Sequence, residues 1–197
     1  MNLRSILSAA VALVLPTVAL AEAQISADLP SGNYVLDKKH ASVIAKVLHM
    51  GVSYYTVRFD TFDASFAYDP ANPTAARVKA TLDATSLDVG AAYGRRFADE
   101  FLDATKNPVV SFVSTQIVPS PDGRTGTMIG NLTLHGVTKP VTFNVTFVGV
   151  GHGLFGGTIT GFSATTRIKR SDFGSTFLLN LVGDDTEIDI DAEFDRK

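Results

Sequence analysis

The run Asp185-Thr186-Glu187-Ile188-Asp189-Ile190-Asp191-Ala192-Glu193-Phe194 decides the fold class. Asp185, Glu187, Asp189, Asp191 and Glu193 alternate with Thr186, Ile188, Ile190, Ala192 and Phe194. Successive side chains of an extended strand point to opposite faces, so this period of two gives one wet face and one buried face. A helix would scatter the carboxylates around its circumference. The acidic residues are read as the solvated face of a strand, not as a binding comb.

The same alternation sets Val141, Phe143, Val145 and Phe147 against Thr142, Asn144 and Thr146. It also sets Val78, Ala80 and Leu82 against Arg77, Lys79, Thr81 and Asp83. Further strands are predicted over Val43 to His49, Val52 to Phe59, Phe62 to Tyr68, Val109 to Ile117, Met128 to His135 and Ile159 to Lys169, with a short one at Tyr34 to Leu36. Asp69-Pro70 with Asn72-Pro73, Pro121-Asp122-Gly123 and the glycine-rich stretch Gly149 to Gly157 read as reversals between antiparallel neighbours. No helix follows that glycine stretch to present amides to a phosphate, so it is read as a hairpin.

One segment breaks the pattern. Tyr93 to Lys106 spaces Phe97, Phe101 and Leu102 for a helix and is followed by Asn107-Pro108, a natural stop. Many strands with one helix and no alternation of strand and helix give an all-β chain. A closed antiparallel barrel of about eight strands is favoured, although a β-sandwich fits the same pattern.

Residues 1–21 are set apart from this fold. Arg4 is their only charge, the run from Ser5 is apolar, and it ends in Ala19-Leu20-Ala21. That is the pattern of a secretory signal cleaved before Glu22. The run is shorter than the roughly 20 apolar residues a membrane span needs. Residues 22–197 are then expected to form one domain. Of 17 basic and 20 acidic residues only Arg4 falls in the signal, which leaves the mature chain with a formal charge of −4. That balance gives no footprint for nucleic acid.

Cysteine is absent, so stability rests on the core, and thiolate metal sites and cysteine nucleophiles are excluded. The four histidines, His40, His49, His135 and His152, form no metal-binding spacing, and no Gly-x-Ser-x-Gly elbow is present. No metal, no catalytic group and no required cofactor are expected, and the mature protein is expected to be soluble.

An eight-stranded barrel can be filled by its own side chains or hold one small ligand. On the predicted inner faces the small residues Ala64, Ala80, Ala164, Thr166 and Ala192 lie among Phe66, Leu82, Phe162, Ile168, Ile188 and Ile190. A void among them would lack contacts on every wall, and an apolar chain would restore them. Alternation by itself leaves the packed and the hollow barrel both open.

Three stretches bear on that choice. They are Tyr34-Val35-Leu36-Asp37-Lys38-Lys39-His40, Gly130 to Pro140 with its Leu-Thr-Leu-His-Gly-Val-Thr-Lys-Pro core, and Phe162-Ser163-Ala164 with Ile168-Lys169-Arg170-Ser171-Asp172-Phe173-Gly174. In order and spacing they resemble the YceI-like family of exported polyisoprenoid-binding proteins. The resemblance implies an extended lipocalin-like barrel, commonly a homodimer, holding a long isoprenoid or related lipid such as a quinone. Ala41 stands where the family commonly has serine, Thr56 to Phe59 lacks the usual glycine, and Gly94 to Asp103 replaces a longer stretch.

On this basis the expected lining is Phe66, Leu82, Leu132, Leu134, Phe143, Val145, Phe162, Ala164, Ile168, Phe173, Ile188 and Ile190. His40, His135 and Arg170 are candidate contacts to a polar head group. For Arg170 the competing reading is a surface ion pair, and for the histidines a turn hydrogen bond. The expected partner is one long-chain apolar lipid, with transient contact to a membrane. A role in presenting a quinone or lipid to a membrane redox protein is the alternative.

Overall fold

A computed structural model describes residues 29–90 and 93–197 of the chain; the predicted signal lies outside them. Among the described residues are ten strands and one α-helix. The strands are β1 (Gly32–His49), β2 (Ser53–Phe59), β3 (Phe62–Tyr68), β4 (Arg77–Asp83), β5 (Leu87–Asp88), β6 (Val109–Pro119), β7 (Thr125–Leu134), β8 (Val137–His152), β9 (Thr158–Lys169) and β10 (Val182–Arg196). The helix is α1 (Gly94–Leu102). Among the described residues no helix is long and apolar enough to cross a membrane.

Every strand pair is antiparallel, and the wall closes where β10 pairs with β1. Eight strands form the ring, in the order β1, β3, β4, β6, β7, β8, β9, β10. Closure removes the unpaired edge that an open sheet would expose. The long β1 bridges two shorter partners, pairing with β3 through Gly32 to Val35 and with β2 through Val43 to His49. β2 carries β5 on its other edge and so extends the wall beyond the closed ring.

Sequence alternation becomes inside and outside here. On β10, Thr186, Ile188, Ile190, Ala192 and Phe194 face the interior. Its acidic side chains face out: Asp185 pairs with Lys169, Arg167 with Glu187, and Asp189 with Lys46 at 2.8 Å. Such exposed pairs are screened by solvent and contribute little, so the apolar face carries the strand.

The structure corrects the predicted elements in four places. Tyr34 to Leu36 and Val43 to His49 are parts of one strand. Between the pairs Leu36–Phe194 and Ala41–Ala192, the four residues Asp37 to His40 oppose Glu193 alone. This bulge breaks the alternation on β1 and hid its continuity. The helix stops at Leu102, not Lys106, because Asp103 takes a left-handed conformation with φ 50°. β8 runs through Gly149 to His152, so the glycine-rich reversal is confined to its last residues. Two-residue β5 was not foreseen.

Two hydrophobic clusters divide the ring along its axis. Tyr34, Leu36, Phe66 and Phe194 pack with Leu29 at the end where β1 begins. Phe112, Leu132, Val141, Phe143, Ala164, Ile168 and Phe173 pack around the opposite half. A third, smaller cluster joins Ala98 of α1 to Ala84, Leu87 and Ala104 and seats the helix beside β5. There β4 has already handed its pairing to β6, and among the described residues β5 pairs only with β2. Gly130 shows how tight the packed parts are: a Cβ there would lie 2.3 Å from Phe112 and 2.6 Å from the Val113 carbonyl.

Candidate functional site: an apolar cavity inside the barrel

The barrel encloses a cavity of about 1100 Å³. That exceeds the roughly 300–1,000 Å³ of pockets that take drug-sized ligands. It exists because five strands turn alanine inward: Ala45, Ala64, Ala80, Ala164 and Ala192 all line it. Ala64 and Ala80 are direct partners across β3 and β4, so two small side chains meet where larger ones would fill the space. A closed hydrogen-bonded wall cannot collapse inward to compensate.

One end has an aromatic floor. Phe66 stacks on Tyr34 at 4.8 Å between ring centroids, and meets Phe194 and Phe162 edge-on at 5.1 and 5.8 Å. The other end is roofed by α1 and the segment after β9. Tyr93, Phe97, Phe101 and Phe177 contact in series at 5.9, 5.8 and 5.2 Å, linking the helix to that segment. The Arg170 guanidinium lies 5.4 Å from the Phe101 ring centre.

Eleven of the twelve expected lining residues border the cavity: Phe66, Leu82, Leu132, Leu134, Phe143, Val145, Phe162, Ala164, Ile168, Ile188 and Ile190. Phe173 does not. It belongs to a short 3-10 turn, Arg170–Phe173, which buries its ring within the adjoining core cluster instead. Thr166 is also absent from the wall, and its hydroxyl donates to the Thr142 carbonyl at 2.8 Å.

The three polar candidates separate. His40 sits on the bulge, exposed outside the barrel, with Nδ1 2.8 Å from Asp37 Oδ2. That hydrogen bond and the carboxylate charge raise its pKa, and the same bond lowers that of Asp37. Strand pairing brings Glu193 beside them, within 4.8 Å, a juxtaposition that sequence spacing could not show. His135 occupies a two-residue turn with Gly136, both at positive φ, 54° and 76°. Such a turn matches the twist of a hairpin, so the β7–β8 reversal accounts for its position. It borders a separate surface recess, not the cavity.

Arg170 alone reaches the cavity wall. It is buried, and its nitrogens donate to the carbonyls of Gly183 at 2.9 Å, Ser175 at 2.9 Å and Val182 at 2.7 Å. Burial lowers its pKa, partly opposed by the nearby Asp184 carboxylate. The expected surface ion pairs belong to its neighbours Arg167 and Lys169. The roof residues Phe97, Phe101 and Phe177 are lining that strand alternation could not find, since a helix and a loop supply them.

A family model for the YceI-like domain matches residues 34–194. A UPF0312 protein of Vibrio cholerae serotype O1 is 42% identical over 148 residues, covering 73% of this chain and 78% of its own length. One from Pseudomonas aeruginosa is 35% identical over 167 residues, covering 83% and 86%. Among solved structures, Burkholderia cenocepacia BcnA superposes with a TM-score of 0.71 at 27% identity, over 80% of this chain and 98% of that one. A polyisoprenoid-binding domain from Saccharophagus degradans shares the fold, with a TM-score of 0.58 at 15% identity over 83% and 98%. A match through nearly all of the described barrel, with close relatives over most of the chain, shows that this protein belongs to the YceI-like family.

Proposed function

We propose that the protein is an exported carrier that sequesters one long apolar lipid, of the polyisoprenoid or isoprenoid-quinone class, inside its barrel without covalent chemistry. The observation that carries this reading is the cavity: about 1100 Å³, walled by aliphatic and aromatic side chains, and closed around its circumference by a continuous sheet. Each Å² of hydrocarbon withdrawn from water into it contributes about 25 cal/mol. A long flexible chain uses the depth from floor to roof better than a compact polar molecule would. The polyisoprenoid-binding domain of Saccharophagus degradans, which has this fold, agrees in kind.

Native mass spectrometry of freshly purified protein, followed by solvent extraction, tests the reading. Excess mass matching an extractable isoprenoid is expected. An apo mass together with no uptake of added polyprenol overturns it. Ala164 gives a site-directed arm, because it pairs with Val145 and Ile190 and its methyl faces the cavity. Ala164→Trp should keep the fold and weaken lipid uptake roughly tenfold or more, since the indole takes apolar contact area from the lipid. Undiminished uptake would place the lipid elsewhere.

A further inference from the structure

The roofed end of the barrel carries an apolar collar on its outer side. Met50 and Val52 form the tip of the β1–β2 hairpin and are 59% and 83% exposed. Leu179 and Leu181, in the segment between the Arg170–Phe173 turn and β10, are exposed beside them. The two segments are joined where the Met50 amide donates to the Leu181 carbonyl at 2.6 Å. Soluble proteins rarely expose large apolar residues in such a group unless it meets another surface.

Two features connect this collar to the cavity. Tyr93 and Leu178 are both exposed and part of the cavity wall, so exposed apolar side chains at this end adjoin the cavity, next to the polar wall residues His49, Arg96 and Glu100. In addition, Met50 and Leu178 hold left-handed backbone, with φ 52° and 51°. Glycine or asparagine relieves that conformation, and neither position uses them. Bulky apolar side chains are therefore kept at the tips of both segments against local backbone preference.

The geometry points to this collar as a docking surface for a phospholipid bilayer, through which the barrel loads and unloads its lipid. The inference rests on the carrier reading. The collar residues are uncharged, and Arg95, two residues after Tyr93, is exposed and free of ion pairs among the described residues. A guanidinium there suits lipid phosphates, while the acidic balance of the chain disfavours attraction to a strongly anionic surface. A second copy seated on the collar would cover it but supply no cargo. A bilayer both covers the collar and supplies the cargo.

The opposite end supplies an internal control. Leu154 and Phe155, at the tip of the β8–β9 hairpin, are 91% and 99% exposed but do not border the cavity. Protein recovered from the periplasm of an expression host, its N terminus read by mass, is floated with phosphatidylcholine vesicles.

Wild-type protein should co-float. Met50→Glu/Val52→Glu should lose vesicle binding by about tenfold or more, as binding scales with the apolar area inserted. Leu154→Ser/Phe155→Ser should float like the wild type. Absence of wild-type flotation, undiminished flotation of the collar variant, or a loss confined to the far-tip variant overturns the inference. So does a collar variant that changes from dimer to monomer by light scattering while still binding vesicles. Polyprenol uptake from detergent micelles, measured on the same proteins, should be equal in all three. Its absence from every chain would sink the carrier reading itself, independently of flotation.

Discussion

Replacing Phe66 with alanine should destabilise the barrel by about 3–5 kcal/mol, the range for removing a large buried aromatic. For a chain of this size that corresponds to a fall of roughly 10 °C in Tm. Phe66 is the centre of the floor, with one face stacked on Tyr34 and its edges against Phe162 and Phe194. Removing the ring takes one contact from each of three other rings at once. The space left opens into the existing cavity, so the surroundings have little means of closing it.

A second consequence runs through Tyr34. It is fully buried, and its hydroxyl donates to the Pro30 carbonyl at 2.7 Å, which ties the segment before β1 to the floor. Once its stacking partner is lost, amide hydrogen exchange should speed up at Gly32 to Val35, the residues that pair with β3. Guanidinium denaturation with parallel exchange measurements checks both points. A stability change below about 1 kcal/mol would mean that Phe162 and Phe194 refill the floor and that the aromatic cluster is not its support.

How far the sequence shows all this depends on whether a feature is local. Period-two alternation on β10, β8 and β4 is set by neighbouring residues, and it placed the inward faces correctly. Whether the interior is hollow is a matter of which residues meet across strands. Ala64 and Ala80 are sixteen positions apart and become neighbours only through the β3–β4 register. The family motifs favoured a container, and the paired alanines supply its physical cause. Phe173 looked inward because it belongs to a matched motif, but a single 3-10 turn rotates it into the core. His40 and His135 were drawn to the site by the same motifs. A bulge and a hairpin turn, both backbone features without a side-chain signal, keep them outside. The roof is legible only in part: the helix and its Phe97 and Phe101 spacing are visible, and capping a barrel end is one of the two roles open to it, but Phe101 and Phe177 are far apart in sequence, on a helix and a loop, and no periodicity links such elements.

Arg170 is where structure and function meet most directly, and its replacement is the second large effect expected. The basic cluster Arg167, Lys169 and Arg170 reads as uniform in sequence, yet its members differ by burial. Arg167 pairs with Glu187 at the surface, so Arg167→Ala should change stability by less than about 1 kcal/mol. Arg170 instead clasps both ends of the segment that carries Phe177, Leu178 and Leu181. Its fork holds Ser175 near the start, and Val182 and Gly183 at the end, while Phe101 of the helix packs against its face.

Arg170→Ala removes three charge-assisted hydrogen bonds, each contributing about 1.5–3 kcal/mol, though loop relaxation and entering water will return part of that. A net loss of about 3 kcal/mol is expected from denaturant unfolding. Arg170→Lys should recover little of it, because a single ammonium cannot reproduce a planar fork spanning three carbonyls. The functional readout follows from position: with the clasp gone, Phe177 and Leu178 are no longer held over the cavity. Release of a fluorescent polyprenol from Arg170→Ala should then be faster than from wild type, by more than the change seen for Arg167→Ala. Equal release rates for the two variants would mean that the segment stays shut without its clasp. Lipid exit would then run through the floor, and the aromatic cluster around Phe66, not the roof, would be the element that sets how long cargo is retained.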